Sequence, residues 1–109
     1  DEAVKTYTLA INGYMYIAQA NQKPLDPGAD AIMHKVNEAA KAANQPDLTF
    51  KLLNDVLTAD PDNKTANIEL AQVYIRRNPP DYSTAADLME RAGASDAEVK
   101  AMRARAKSH

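Results

Sequence analysis

Apolar residues recur along most of this chain at three- and four-residue intervals, and clusters of proline, asparagine, aspartate and glycine separate the runs. The spacing predicts a first helix over about Ala3 to Gln22, with Tyr7, Ile11, Tyr14, Met15 and Ala18 on one stripe. Leu9, Tyr16 and Ile17 widen that stripe until the helix is apolar over most of its circumference. Asn12-Gly13 has the letters of a hairpin turn, but its flanks do not alternate as strands do. A glycine inside a helix points instead to the close approach of a neighbour. Two prolines in Lys23-Pro24-Leu25-Asp26-Pro27-Gly28 stop this helix, because proline removes a donor and clashes with the preceding turn.

The second predicted helix covers about Ala29 to Ala43, with Ile32, Met33, Val36 and Ala40 on one face. Asn44-Gln45-Pro46-Asp47 forms the turn, and Pro46 suits a first helical position. A third helix runs to about Ala59 and buries Leu48, Leu52, Leu53, Val56 and Leu57. Asp60-Pro61-Asp62-Asn63 breaks it and offers a cap to a fourth, Thr65 to Arg77, which carries Ile68, Leu70, Ala71, Tyr74 and Ile75. Asn78-Pro79-Pro80-Asp81 separates that helix from a fifth, Tyr82 to Ala92, stopped by Gly93. Ser95-Asp96-Ala97-Glu98 then reads as a capping box opening a short terminal helix through Val99 and Met102. The pattern contains no credible strand.

The 109 residues suffice for one domain with one core. Hydrophobic residues make up 45% and charged residues 26%, the balance of a folded chain with a solvated surface. With one Phe and no Trp, the core must be built mainly from Ala, Leu, Ile, Val and Met, which suits closely packed helices. A net charge of -2 gives no global case for nucleic acid or membrane binding. Residues 1–63 hold five basic and nine acidic side chains, and residues 64–109 hold eight and six. Lys100, Arg103, Arg105 and Lys107 fall where a last helix has its negative dipole end. The lack of cysteine excludes disulfides and thiolate chemistry, and no apolar run reaches the roughly 20 residues that span a bilayer. The first residue is Asp1 rather than Met, which leaves room for an upstream segment, a signal peptide included, and keeps cytoplasm and periplasm both open.

Asp26-Pro27 and Asp60-Pro61 stand 34 residues apart, each followed by a helical stretch. From Thr65 to Ala92, Leu70, Ala71 and Tyr74 on one helix are followed by Tyr82, Ala85, Met89 and Ala92 on the next. In order, spacing and period this segment resembles a tetratricopeptide repeat, a unit of two antiparallel helices. The turn holding Pro79-Pro80 is two residues longer than the family's. A degenerate unit covers 30–63, with Met33, Val36, Asn37 and Ala40, then Thr49, Leu53 and Val56, and with Asn37 where the family has a small residue. The resemblance implies a single all-α domain: an added N-terminal helix and turn over 1–28, repeats over 30–63 and 64–93, and a capping helix over 95–109. Its helix pairs would stack as a short right-handed superhelix.

The resemblance also implies a binding surface without catalytic machinery or cofactor. The family's groove positions fall on His34, Glu38 and Lys41 in one unit, and on Thr65, Ile68, Gln72, Ile75 and Arg76 in the next. An exposed Ile68 and Ile75 would form an apolar strip for a partner's helix or peptide. The function implied is a protein-binding adaptor or assembly factor, bacterial by analogy. The alternative is a structural subunit that uses its apolar first helix for homo-oligomerisation or for docking into a larger complex. Tyr7 and Tyr14 share a face of that helix while Tyr16 points elsewhere, and tyrosine favours interfaces where one end stays wet.

Other signals carry less. Pro79-Pro80-Asp81-Tyr82 spells a proline-rich ligand, but Tyr82 is better explained as a helix-entry aromatic. Asn63-Lys64-Thr65 is a glycosylation sequon of a length that arises by chance. His34 and Glu38 lie one turn apart, yet the only other histidine is His109, so a metal site lacks ligands. No nucleophile elbow or phosphate-cradling loop is present.

Overall fold

A computed structural model describes residues 2–44 and 46–108 as six helices, with no strand among them. They are α1 Glu2–Asn21, α2 Gly28–Ala42, α3 Pro46–Ala59, α4 Lys64–Ile75, α5 Tyr82–Arg91 and α6 Asp96–Ser108. Among the described residues the helices end where the sequence predicts breaks, because these segments carry residues that cannot continue a helix or that satisfy the next one; Gln45 of the predicted Asn44–Asp47 turn lies outside the described residues. Asn63 Oδ1 accepts from the Ala66 amide at 2.9 Å and caps α4. Ser95 Oγ accepts from the Glu98 amide at 3.2 Å and opens α6. Gly93 ends α5 at φ +89, where a side chain would be strained. The sequon's Asn63 is thereby committed to a cap: it is buried, and its amide nitrogen donates to Asp60 Oδ2 at 3.2 Å.

Asp81 caps α5, accepting from the Thr84 amide at 3.0 Å and from the Thr84 hydroxyl at 2.8 Å. Those bonds, helped by the nearby Arg77 charge, hold its carboxyl below the ordinary value of 3.8. Asp81→Ala is therefore expected to cost about 0.5–2 kcal/mol in urea unfolding at neutral pH. A depressed folded pKa contributes stability above the unfolded value and loses it as pH falls. The gap between wild type and variant should accordingly close below about pH 4, and a gap that persists into acid would exclude the cap as its source.

The helices pack within an envelope of 41 × 32 × 18 Å. α2 packs against α1, α3 and α4, while α1 also touches α3. α5 packs on α4, and α6 on α5. The seam between α2 and α4 pairs residues 32 to 39 positions apart, so the two helices run parallel with an offset close to the 34-residue period. The loops carrying the two Asp-Pro pairs also lie side by side, with the Leu25 amide donating to Asp60 Oδ2 at 3.1 Å. The stacking does not extend further: among the described residues α3 makes no contact with α5, nor α4 with α6.

The core runs through Ile11 and Ala18 of α1, Met33 and Val36 of α2, Leu52, Leu53 and Val56 of α3, and Ala66, Leu70 and Val73 of α4. Ala71, Ala85 and Ala86 are fully buried, small enough to let α4 and α5 come close. Arg77 lies 4.5 Å from the Phe50 ring and 4.6 Å from that of Tyr74, fastening the end of α4 to α3 through cation–π contacts. The basic tail has a specific partner too. Arg103 pairs with Asp87 at 2.9 Å and Glu90 at 3.5 Å, and Arg105 stands 5.9 Å over Tyr82, so these cations bind α6 to α5.

Candidate functional site

The groove positions read from the sequence fall on α2 and α4, and the structure divides them. His34, Glu38, Lys41, Gln72 and Arg76 are exposed; Thr65, Ile68 and Ile75 are half-buried. Among the described residues α1 makes no contact with α4, and so does not cover Ile68 and Ile75. The exposed face of this seam is polar.

Its organising residue is Glu69, which the sequence reading passed over. Glu69 sits one turn after Ala66 and one before Val73, on the buried side of α4, and is only 6% exposed. An ionised carboxylate there needs donors, because burial of an unpaired charge is costly. His34 Nδ1 lies 2.9 Å from Glu69 Oε1, and Asn37 Nδ2 donates to Oε2. Asn37 Oδ1 in turn accepts from Arg76 at 2.9 Å. The orientation of the Asn37 amide follows from chemistry: arginine only donates and a carboxylate only accepts, so the amide must place oxygen toward one and nitrogen toward the other. The hydrogen bond from His34 to Glu69, and the negative charge it meets there, raise the His34 pKa above its ordinary 6.5. The signal was present in the sequence as polar residues on apolar stripes, Asn37 beside Val36 and Ala40, and Glu69 between Ala66 and Val73.

His34 thus bonds to Glu69 rather than standing over a metal with Glu38. Among the described residues no group of three metal-ligating side chains converges, and His109 lies outside them.

A second surface is apolar. Between α1 and α3 opens a cleft of about 470 Å³, lined by Val4, Thr8, Leu9 and Asn12 on one side and Leu48, Lys51, Leu52 and Asp55 on the other. Leu9 is 71% exposed and Tyr16 74%, with Ile17 at 60%. Leu48, expected in the core, is 43% exposed at the mouth of the cleft. The buried stripe of α3 is Thr49, Leu52, Leu53 and Val56; Leu48 stands at its edge, where α1 does not close over it. Tyr7 and Tyr14 pack against the core, as their shared face requires, and Tyr16 faces away from it.

Gly13 also corrects an expectation. A Cβ built there would meet nothing within 4 Å, so no neighbour within the chain approaches it. The close approach occurs at Gly28, where an added Cβ would stand 3.0 Å from the Tyr14 hydroxyl.

Set against known protein families, curated proteins and solved structures, the chain finds no match.

Proposed function

We propose that this chain is a protein-interaction module that docks another polypeptide and performs no chemistry of its own. The observation that carries this reading is the outer side of α1 with the cleft beside it. Three large apolar side chains, Leu9, Tyr16 and Ile17, stand in solvent on a helix whose opposite side already supplies Val4, Ile11 and Ala18 to the core. Leaving such groups exposed forgoes about 1.5–3 kcal/mol of burial for each. Contiguous apolar patches of this kind mark interaction sites. The adaptor or assembly role and the tetratricopeptide-like architecture belong to this proposal. They are supported by the 34-residue period and by the parallel pairing of α2 with α4.

A second reading places the partner on the α2–α4 seam, as the repeat resemblance implies. It is favoured by the Glu69–Asn37–Arg76 chain, which fixes the exposed Arg76 to α2. The two readings separate in one capture experiment with the tagged chain as bait, an untagged copy counting among the partners. Leu9→Asp/Leu48→Asp is expected to abolish capture while leaving the helical circular dichroism unchanged. Capture that survives this variant but is lost in Lys41→Glu/Gln72→Glu would move the docking surface to the seam, and capture indifferent to both would sink the proposal.

A further inference from the structure

α6 is held to the molecule by one face of one neighbour. We propose that it is a salt-sensitive strap, which lifts from α5 as a unit while α1 to α5 stay folded and so bares Tyr82, Asp87 and Glu90.

Topology gives the first reason. Among the described residues α6 packs on α5 alone, whereas α2 is wedged among α1, α3 and α4. No other described helix rests on α6, so its lifting removes support from none of them. The link from α5 turns at Gly93, where a Cβ would meet nothing within 4 Å. A glycine with open space around it can swing the following chain outward at little steric cost.

Burial gives the second. Val99 is the one buried residue among the described side chains of α6. By contrast α2 buries Met33, Val36 and Ala40, and α4 buries Ala66, Leu70 and Val73. One valine offsets little of the entropy lost in ordering a helix of 13 residues. Elements with so few buried apolar contacts open locally, at a free energy below that of global unfolding. A helix of this length is marginal by itself in water, so α6 melts once it has left α5.

Charge supplies the sensitivity. Beyond Val99, the specific contacts that hold α6 lie in solvent. Arg103 reaches Asp87 at 2.9 Å and Glu90 at 3.5 Å, and these carboxylates are 65% and 67% exposed. Arg105 stands 5.9 Å over the Tyr82 ring. With Lys100, Arg103, Arg105 and Lys107 against Asp96 and Glu98, α6 is a cationic helix laid on an acidic edge. Salt weakens such exposed pairs, because the screening length falls from about 10 Å at 0.1 M to about 3 Å at 1 M. The Asn37–Glu69 bond between α2 and α4 is buried and is screened much less, so salt acts on α6 first.

The test is amide hydrogen exchange of the full chain, resolved by NMR, at about 0.05 M and about 1 M sodium chloride. Amides of α6 from Val99 to Arg105 are expected to exchange roughly ten-fold or more faster than those at the centres of α2, α4 and α5. High salt should quicken α6 by roughly three-fold or more and leave the other helices unchanged. Arg103→Ala should produce a similar quickening at low salt and remove most of the salt response. Val99→Ala should quicken α6 by roughly ten-fold without loosening α2 or α4. Exchange of α6 in step with α2 and α4, or a Val99→Ala variant that loosens all helices alike, would make α6 part of the common core and overturn the proposal. Fast exchange indifferent to salt and to Arg103→Ala would overturn it as well, since the latch would then not be ionic.

Discussion

Ile11→Ala is expected to lower the unfolding free energy by about 2–5 kcal/mol, while Ile17→Ala, six residues along the same helix, changes it by no more than about 0.5 kcal/mol. The two substitutions remove the same atoms. They differ because Ile11 is fully buried among α1, α2 and α3, and Ile17 stands 60% in solvent. Truncating Ile11 leaves a cavity whose lining loses its contacts, and in a domain of this size the cost is a large share of total stability. Urea unfolding monitored by circular dichroism should show the midpoint falling for Ile11→Ala with an unchanged slope. Equal losses at the two positions would mean that α1 is rotated from the orientation described.

The second large effect is expected at Glu69. Glu69→Ala removes the acceptor for both His34 and Asn37 and leaves a buried amide unpaired, at about 1–3 kcal/mol. Glu69→Gln keeps the volume but not the charge, so in both variants the His34 pKa, followed by NMR, should return toward 6.5. The sign of the pH dependence follows from the raised folded value. The His34–Glu69 contribution is fully present below pH 6.5 and is lost as pH rises through the His34 pKa of the folded protein. Wild type should therefore gain on Glu69→Gln as pH falls toward 6, and a difference independent of pH would show that the histidine does not sense this carboxylate. Because His34 is mostly exposed, solvent screens the pair, and its coupling belongs to a double-mutant cycle with His34→Ala.

Much of the architecture was legible because it is written in local chemistry. Proline at 24, 27, 61, 79 and 80 cannot sit inside a helix, and Asn63, Asp81 and Ser95 satisfy helix starts with their own side chains. The stripe Tyr7, Ile11, Tyr14, Met15 and Ala18 faces the core because a helix can bury only one side against its neighbours. The candidate sites were less legible. The resemblance led to α2 and α4 and found His34 and Arg76, but not the buried carboxylate that links them through Asn37. A glutamate on an exposed helix face and one on a buried face look alike in sequence until the neighbouring helix is in place. Leu48 shows the reverse: its residue type predicts burial, and only the limited reach of α1 over α3 leaves it at a cleft mouth.

By itself the sequence determined that this chain is helical, where its helices break and which side of each is apolar, since periodicity, proline and caps act within a few residues. Tertiary structure alone decided which apolar side chains were covered. Helix packing is a matter of which surfaces meet, and α1 carries more apolar surface than its own chain can bury. The same packing placed Glu69 beside His34 and Asn37, 35 and 32 residues away, a proximity that no local pattern encodes.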